Sequence, residues 1–121
     1  MRLAHLPDTD KPLALVVDDQ VAPFADAAGF ATADELIAAG PGAWDAARAA
    51  AAGIDEASFR PLAEVRLDAP LRRPSKIACI GLNYADHIRE TGLDAPRKPL
   101  VFAKFPNALC GEGSRSAGPP G

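Results

Sequence analysis

The fold is decided by residues 76–92, which read KIACIGLNYADHIRETG. Residues 76–80 form a short, largely apolar run, which predicts a strand that is buried on both faces. Gly81 ends this strand, because glycine permits the backbone to turn sharply. Asn83 is placed to cap a helical turn, which Gly92 ends. The stretch therefore predicts a short helix beside a buried strand.

Two polar side chains of this helix have the spacing of an acid–base pair. His87 and Glu90 are three residues apart, so a helix places them on one face, about 5–6 Å apart between Cβ atoms. A carboxylate beside an imidazole orients the ring and raises its basicity, which suits proton transfer near neutral pH. A solvated helical pair without a role is the alternative, and spacing alone does not separate the two. Asp86 projects elsewhere, free for a metal, a metal-bound water or the helix cap.

The segment that follows contains a second motif. After two prolines, at positions 96 and 99, residues 100–104 (LVFAK) predict a last strand, and residues 102–106 read FAKFP. The combination of GLNYADHxxExG, a short proline-containing spacer and FxKxP closely resembles the opening of the catalytic domain in the fumarylacetoacetate hydrolase (FAH) family. The resemblance covers about residues 76–111. It implies an α+β fold, in which a small N-terminal αβ domain precedes the start of a FAH-type β-roll catalytic domain that is incomplete here.

The resemblance also implies an activity and roles for particular residues. Members of the family act on 2-oxo or 1,3-dicarbonyl acids through a metal-stabilised enolate. They hydrolyse a C–C bond of the acid, isomerise the acid or decarboxylate it. His87 matches the base and Glu90 its partner, while Lys104 lies near the substrate and offsets its negative charge. Asp86 matches a position that contacts the metal in some members. Tyr84 either donates a hydrogen bond to the substrate or packs at the start of the helix.

The implied cofactor is Mg²⁺, or alternatively Mn²⁺ or Ca²⁺, and the implied assembly is a homodimer of the full-length form. The family takes its main metal ligands from an ExE pair and a later aspartate, which follow FxKxP and are missing from this sequence. We therefore expect a truncated chain that is inactive alone. The alternative is a non-catalytic module that acts only by association with another subunit. Residues 112–121 have the composition of a flexible linker and predict a disordered tail.

The first 70 residues predict a small domain of their own. Three apolar runs and a tight turn at Asp18 and Asp19 predict an antiparallel meander. The runs are Arg2–Leu6, Pro12–Val17 and Val21–Phe24. Thr32 and Glu35 have the spacing of a capping box, which opens a helix that ends before Gly40. A second helix is predicted for residues 41–52, with Trp44 as an anchor in the core.

A break in composition at residues 71–75 (LRRPS) indicates a linker, so we predict domains at 1–70 and 71–111. Residues 1–70 hold 12 acidic and 5 basic residues, net −7, whereas residues 71–121 hold 4 and 8, net +4. A basic half suits a small anionic substrate, although a solvated basic face is equally consistent.

Several classes of function are poor fits to the composition. The net charge of −3 disfavours nucleic acid as a partner. No apolar run approaches the roughly 20 residues of a membrane helix, and the first residues do not resemble a signal peptide, so we predict a cytoplasmic location. Cys79 and Cys110 lack the spacing of a zinc site or disulfide framework. His5 lies in an apolar strand and has no paired acid nearby, so we assign it a structural role.

Overall fold

The computed structural model describes residues 1–112, whose backbone is of mixed α and β type and forms two compact units. Of the described residues, the first unit comprises Met1–Arg73 and residues 109–112, and the second comprises Pro74–Ala108. The units divide three residues beyond the domain boundary that we predict, and that boundary stays a prediction. All but the first residue of the predicted tail lies outside the described residues.

An antiparallel sheet in the order β1-β2-β3-β4 forms the framework of the first unit. Its strands are β1 (Arg2–His5), β2 (Leu13–Val17), β3 (Gln20–Pro23) and β4 (Arg60–Pro61). Val17 pairs with Gln20, so Asp18 and Asp19 form the turn between β2 and β3. Asp18 has a φ of +47°, a conformation that aspartate tolerates better than most residues. The predicted meander is thus confirmed.

Three helices pack with this sheet, namely α1 (Ala25–Ala28), α2 (Ala33–Ala39) and α3 (Pro41–Ala51). The hydroxyl of Thr32 accepts a hydrogen bond from the N–H of Glu35 at 3.2 Å, and the carboxylate of Glu35 accepts from the N–H of Thr32 at 3.3 Å. This reciprocal pair is the predicted capping box. Gly40 ends α2 with a φ of +84°, and α3 starts at the next residue.

The hydrophobic core lies on both faces of the sheet because alternate strand residues point to opposite sides. One cluster joins β2 to the helices, and Trp44 packs against it as predicted. Its fully or nearly fully buried members are Leu13, Leu15, Phe24, Ala25, Ala33, Leu36 and Ala47. A second cluster covers the other face and consists of Ala4, Leu6, Ala14, Val16 and Val21.

The second unit is a two-stranded antiparallel sheet with one helix between its strands. Strand β5 (Ile77–Gly81) is followed by α4 (Ala85–Thr91) and β6 (Leu100–Lys104), and Ile77 pairs with Lys104. The bounds of β6 agree with the prediction. The prediction that β5 is buried on both faces is wrong, because residues 77–81 alternate between half-buried and exposed. Within residues 1–112 β5 pairs with β6 alone, which leaves its apolar side chains partly open.

The turn from β5 into α4 also differs from expectation. The positive φ of this turn, +51°, belongs to Leu82 and not to Gly81. At position 81 a Cβ would lie 3.0 Å from the end of the Leu100 side chain, which would have to shift by a few tenths of an ångström to admit it. Tyr84 takes the N-cap position predicted for Asn83, and no side-chain hydrogen bond caps the helix. Gly92 ends α4 in the left-handed conformation, as predicted.

Among the residues that the structure describes, no helix could cross a membrane. The longest, α3, has 11 residues, about half of what a bilayer requires. Cys79 and Cys110 are free thiols, the first half-buried and the second exposed.

Candidate active site

The predicted acid–base pair lies on one face of α4. The Nδ1 atom of His87 is 4.0 Å from the nearer carboxylate oxygen of Glu90, which is too long for a hydrogen bond but close enough for electrostatic attraction. The side chains are 58% and 77% exposed. Since Nδ1 faces the carboxylate, the second ring nitrogen, Nε2, is the atom that an incoming molecule can reach. The arrangement can exchange a proton with a ligand on the open side of the helix.

The backbone at the end of α4 holds this face in place. The hydroxyl of Thr91 donates to the carbonyl oxygens of His87 and Ile88, in each case at 3.1 Å. Asp86 in the first turn favours the helix dipole, and Arg89 lies in the last turn, where a cation is favourable. These local interactions position the pair without a buried core beneath the helix.

Asp86 forms an ion pair with Arg89, three residues further along the helix. We tested whether the residues present fit a metal ion, and within residues 1–112 no group of three His, Cys, Asp or Glu side chains is close enough to hold one. A divalent ion such as Mg²⁺ prefers several oxygen ligands, of which Asp86 would supply one. The described residues therefore do not form a metal centre, and the metal role of Asp86 stays a prediction.

Of the two predicted substrate contacts, Tyr84 lies at the N-cap of α4, three residues before His87, whereas Lys104 lies at the end of β6. Tyr84 precedes α4, and its side chain is 74% exposed, so it does not pack at the start of the helix. Lys104 ends β6 and is exposed, and it makes no ion pair with any residue of the described chain. Its ammonium group is therefore available to an anion. Both contacts with substrate stay predictions.

A groove of about 300 Å³ lies beside α4 and was not expected from the sequence. Its walls come from the end of β5, from Ile88 of α4 and from the loop at residues 95–99. Arg97 and Lys98 bring positive charge to this groove, and neither is among the site residues predicted from the sequence. The signal that could have found them is their place between Pro96 and Pro99, which holds two cations on a short, stiff loop. The left-handed conformation of Leu82 has no comparable signal.

The other histidine, His5, lies in the first unit and is fully buried. Its predicted structural role is confirmed by its burial and by hydrogen bonds at both ring nitrogens. Only His87 is thus accessible for chemistry.

No family model matches the chain. Comparison with curated proteins finds oxaloacetate tautomerase FAHD2A, mitochondrial, from Bos taurus, which is 47% identical over 51 residues, or 42% of this chain and 16% of that protein. A protein from Burkholderia ambifaria that is named as a hydrolase is 45% identical over 69 residues, or 55% of this chain and 24% of that protein. The chain thus spans about a sixth to a quarter of the length of these relatives.

Among solved structures, the chain is similar to a protein described as HpcE from Mycobacterium smegmatis. The TM-score is 0.58 at 31% identity, and the match covers 88% of this chain and 36% of the other. This match extends over more of the chain than the sequence comparisons do. Together with the motifs around His87 and Lys104, these matches show that the chain is similar, over part of their length, to proteins of the fumarylacetoacetate hydrolase family.

Proposed function

We propose that this chain provides acid–base chemistry to an enzyme that acts on 2-oxo or 1,3-dicarbonyl acids. His87 is the base, Glu90 orients it, and Lys104 and Tyr84 contact the substrate. The observation that carries the proposal is the open face of α4, where His87 and Glu90 lie 4.0 Å apart in a chain similar to a protein named oxaloacetate tautomerase. We further propose that the second unit belongs to the β-roll catalytic domain that the family resemblance implies.

The step that this face supports is proton transfer at the carbon next to a keto group. Nε2 of His87 takes a proton from that carbon, and the electron pair of the broken C–H bond moves to the keto oxygen as an enolate. Return of the proton to the oxygen gives the enol, so the step needs no oxidant or further reactant. Lys104 and the two cations of the groove favour an acidic substrate and the enolate charge. C–C hydrolysis and decarboxylation pass through a similar enolate, which is why we keep them as further reactions.

The remaining expectations from the sequence are proposals at this point. We propose that activity requires Mg²⁺, Mn²⁺ or Ca²⁺, which would stabilise the enolate, and we assign no step to the ion because the described residues do not form its site. A homodimer and a cytoplasmic location are proposed as well. The bovine and human relatives are named mitochondrial proteins, so cell fractionation should test the location.

A second candidate is favoured by the exposure of apolar side chains in the second unit. Val101 is 60% exposed and Phe105 is 81% exposed. Such surface is normally covered by other polypeptide. On this reading the chain has no activity of its own and acts only in association with another subunit.

Oxaloacetate tautomerisation, followed by ultraviolet absorbance of the enol, tests the proposal. The purified chain is assayed with and without Mg²⁺, and an acylpyruvate panel tests C–C hydrolysis. A positioned base contributes about 10²–10⁴-fold, so His87→Ala should lower the rate by that factor. Glu90→Gln should lower it less, and Asp94→Asn, which removes an exposed carboxylate just beyond the helix, should not change it.

Lys104→Ala should raise KM, whereas Lys76→Ala, which removes another exposed lysine of the same unit, should not. Turnover that is unchanged in His87→Ala would show that α4 does not carry the chemistry. No turnover in the unaltered chain under any condition would agree both with the expected inactivity of a truncated chain and with the second candidate.

A further inference from the structure

Among the described residues of the first unit, His5 is the one ionisable side chain that is buried, and the proposed function leaves it unused. It ends β1, and it is 0% exposed. Nδ1 lies 3.0 Å from the carbonyl oxygen of Ala69, and the N–H of Ala33 donates to Nε2 at 2.8 Å. A carbonyl only accepts and an N–H only donates, so the ring is the neutral tautomer with its proton on Nδ1. Both nitrogens are thereby committed to a single protonation state.

The partners of His5 connect three parts of the first unit. Ala33 is the first residue of α2, and Ala69 belongs to residues 68–73, which we call the exit segment because Pro74, the first residue of the second unit, follows it. The backbone of His5 also takes part, since its carbonyl accepts from the N–H of Asp68 at 2.8 Å. One residue therefore joins β1 and α2 to the exit segment.

A second attachment lies next to the first. Asp34 follows Ala33 on α2, and its two carboxylate oxygens accept from the N–H groups of Arg72 and Arg73, each at 2.9 Å. The first turn of α2 consequently holds one end of the exit segment directly, through Asp34, and the other end through His5. If the bond between Ala33 and His5 breaks, Asp34 shifts with the same turn, so the two attachments are coupled.

Protonation of His5 is incompatible with this arrangement. A proton on Nε2 would point at the N–H of Ala33, so two donors would face each other in place of a hydrogen bond. Of the charged groups that act on the ring, Arg72 opposes a positive charge there, while the carboxylates of Asp34 and Asp68 favour it. Burial, the largest influence, lowers the pKa of His5 below 6.5 despite the hydrogen bond to Ala69.

We infer that His5 is a pH-sensitive anchor, which in its neutral form holds the exit segment against β1 and α2 and which releases that segment when protonated. The released state binds the proton more readily than the anchored state does. The anchor is therefore fully effective above about pH 6.5 and weakens as the pH falls below that value. This inference stands independently of the proposed function.

Hydrogen exchange of backbone amides in the full chain, measured by NMR between pH 7.5 and pH 5, tests the anchor. After correction for intrinsic exchange, protection of the Ala33, Asp68, Arg72 and Arg73 amides should fall by up to about tenfold per pH unit, the limit for one proton. Amides of the β2–β3 pairing should keep their protection. Unchanged protection at the four amides down to pH 5 would overturn the inference, and so would an equal loss throughout the sheet.

Two further measurements keep the test decisive if a variant at position 5 fails to fold. Imidazole ¹⁵N shifts of the unaltered chain should show a proton on Nδ1 of His5 at pH 7.5 and a titration midpoint below 6.5. A ring that carries its proton on Nε2 would contradict the inference. His87→Asn removes the exposed histidine and should leave the pH dependence of the four amides unchanged, whereas His5→Phe should abolish it and leave those amides weakly protected at every pH.

Discussion

The same residue types occur in both units and have opposite surroundings. Phe24 in the first unit is 1% exposed, whereas Phe105 in the second is 81% exposed. His5 is 0% exposed with both ring nitrogens bonded, whereas the side chain of His87 is 58% exposed and has one nitrogen open. No residue of 74–108 is buried. In this chain stability is concentrated in one unit and accessible chemistry in the other.

The two histidines show why this division matters. A histidine whose two ring nitrogens are hydrogen-bonded to fixed partners resists protonation. It can respond to pH only when one of those hydrogen bonds breaks. A histidine beside a carboxylate on an open helix can gain and lose a proton without disturbing the fold, which a base must do in each turnover. Substitutions in the first unit should therefore change mainly stability, and substitutions in the second unit should change mainly activity.

The largest expected contrast is between the two phenylalanines. Phe24→Ala should lower the free energy of unfolding by about 3–5 kcal/mol, because it removes a buried ring and leaves a cavity. Phe105→Ala should change it by no more than about 0.5 kcal/mol. Urea unfolding followed by the fluorescence of Trp44, the single tryptophan, measures both. Equal losses would mean that Phe105 is covered in solution.

Gly111 tests whether the first unit depends on residues that follow the second. A Cβ at position 111 would lie 2.2 Å from the carbonyl oxygen of Leu67 and 2.8 Å from the Cα of Asp68, so the backbone must shift. Gly111→Ala should destabilise the first unit by about 1–3 kcal/mol. Gly42→Ala is the matched control, because nothing lies within 4 Å and alanine favours a helix. If Gly111→Ala left the stability of the first unit unchanged, the packing of Gly111 against Leu67 and Asp68 would be dispensable.

The elements that the sequence predicted well depend on short-range patterns. The meander, the capping box at Thr32 and strand β6 each follow from residues within a few positions of one another. The shared face of His87 and Glu90 is also a local consequence of helical spacing. The pairing of Asp86 with Arg89 has the same spacing and could have been predicted, which would have tempered the assignment of Asp86 to a metal.

The features that the sequence did not predict depend on distant partners. Asp34 binds N–H groups 38 and 39 positions away, and Gly111 packs against Leu67. The exposure of β5 was mispredicted for a related reason. An apolar run indicates that a strand can be buried, but it does not indicate which other elements are present to cover that strand. The positive φ of Leu82 reflects how β5 joins α4, which no property of leucine indicates.

The cap of α2 should have a smaller effect than the core substitutions. Thr32→Ala removes the acceptor for the N–H of Glu35 and should lower the free energy of unfolding by about 1 kcal/mol. Thr91→Ala removes a hydroxyl that donates a hydrogen bond to backbone carbonyls at the end of α4. The free energy of unfolding should change by no more than about 0.5 kcal/mol. Urea unfolding measures the first and circular dichroism of the helices the second. Comparable effects would contradict the view that α4 adds little to stability.

The last effect, that of Asp34, should also be small, and it should be present at neutral pH and disappear in acid. Partial burial raises the pKa of Asp34, but hydrogen bonds from the N–H groups of Arg72 and Arg73 outweigh it and lower the pKa below 3.8. A carboxylate with a lowered pKa contributes stability above about pH 3.8 and loses it as the pH falls through the folded value. Asp34→Asn should therefore cost up to about 1 kcal/mol at pH 7 and nothing at pH 2, if the protein is still folded there.

Asp94→Asn, in the second unit, should have no effect at either pH. The two pH ranges also distinguish the anchors of the exit segment, because the His5 anchor weakens below about pH 6.5 and the Asp34 anchor only below about pH 3.8. Urea unfolding of the three proteins at several pH values measures the difference. A loss in Asp34→Asn that persists unchanged into acid would mean that the amide disrupts α2 itself, and that the charge of Asp34 does not hold the exit segment.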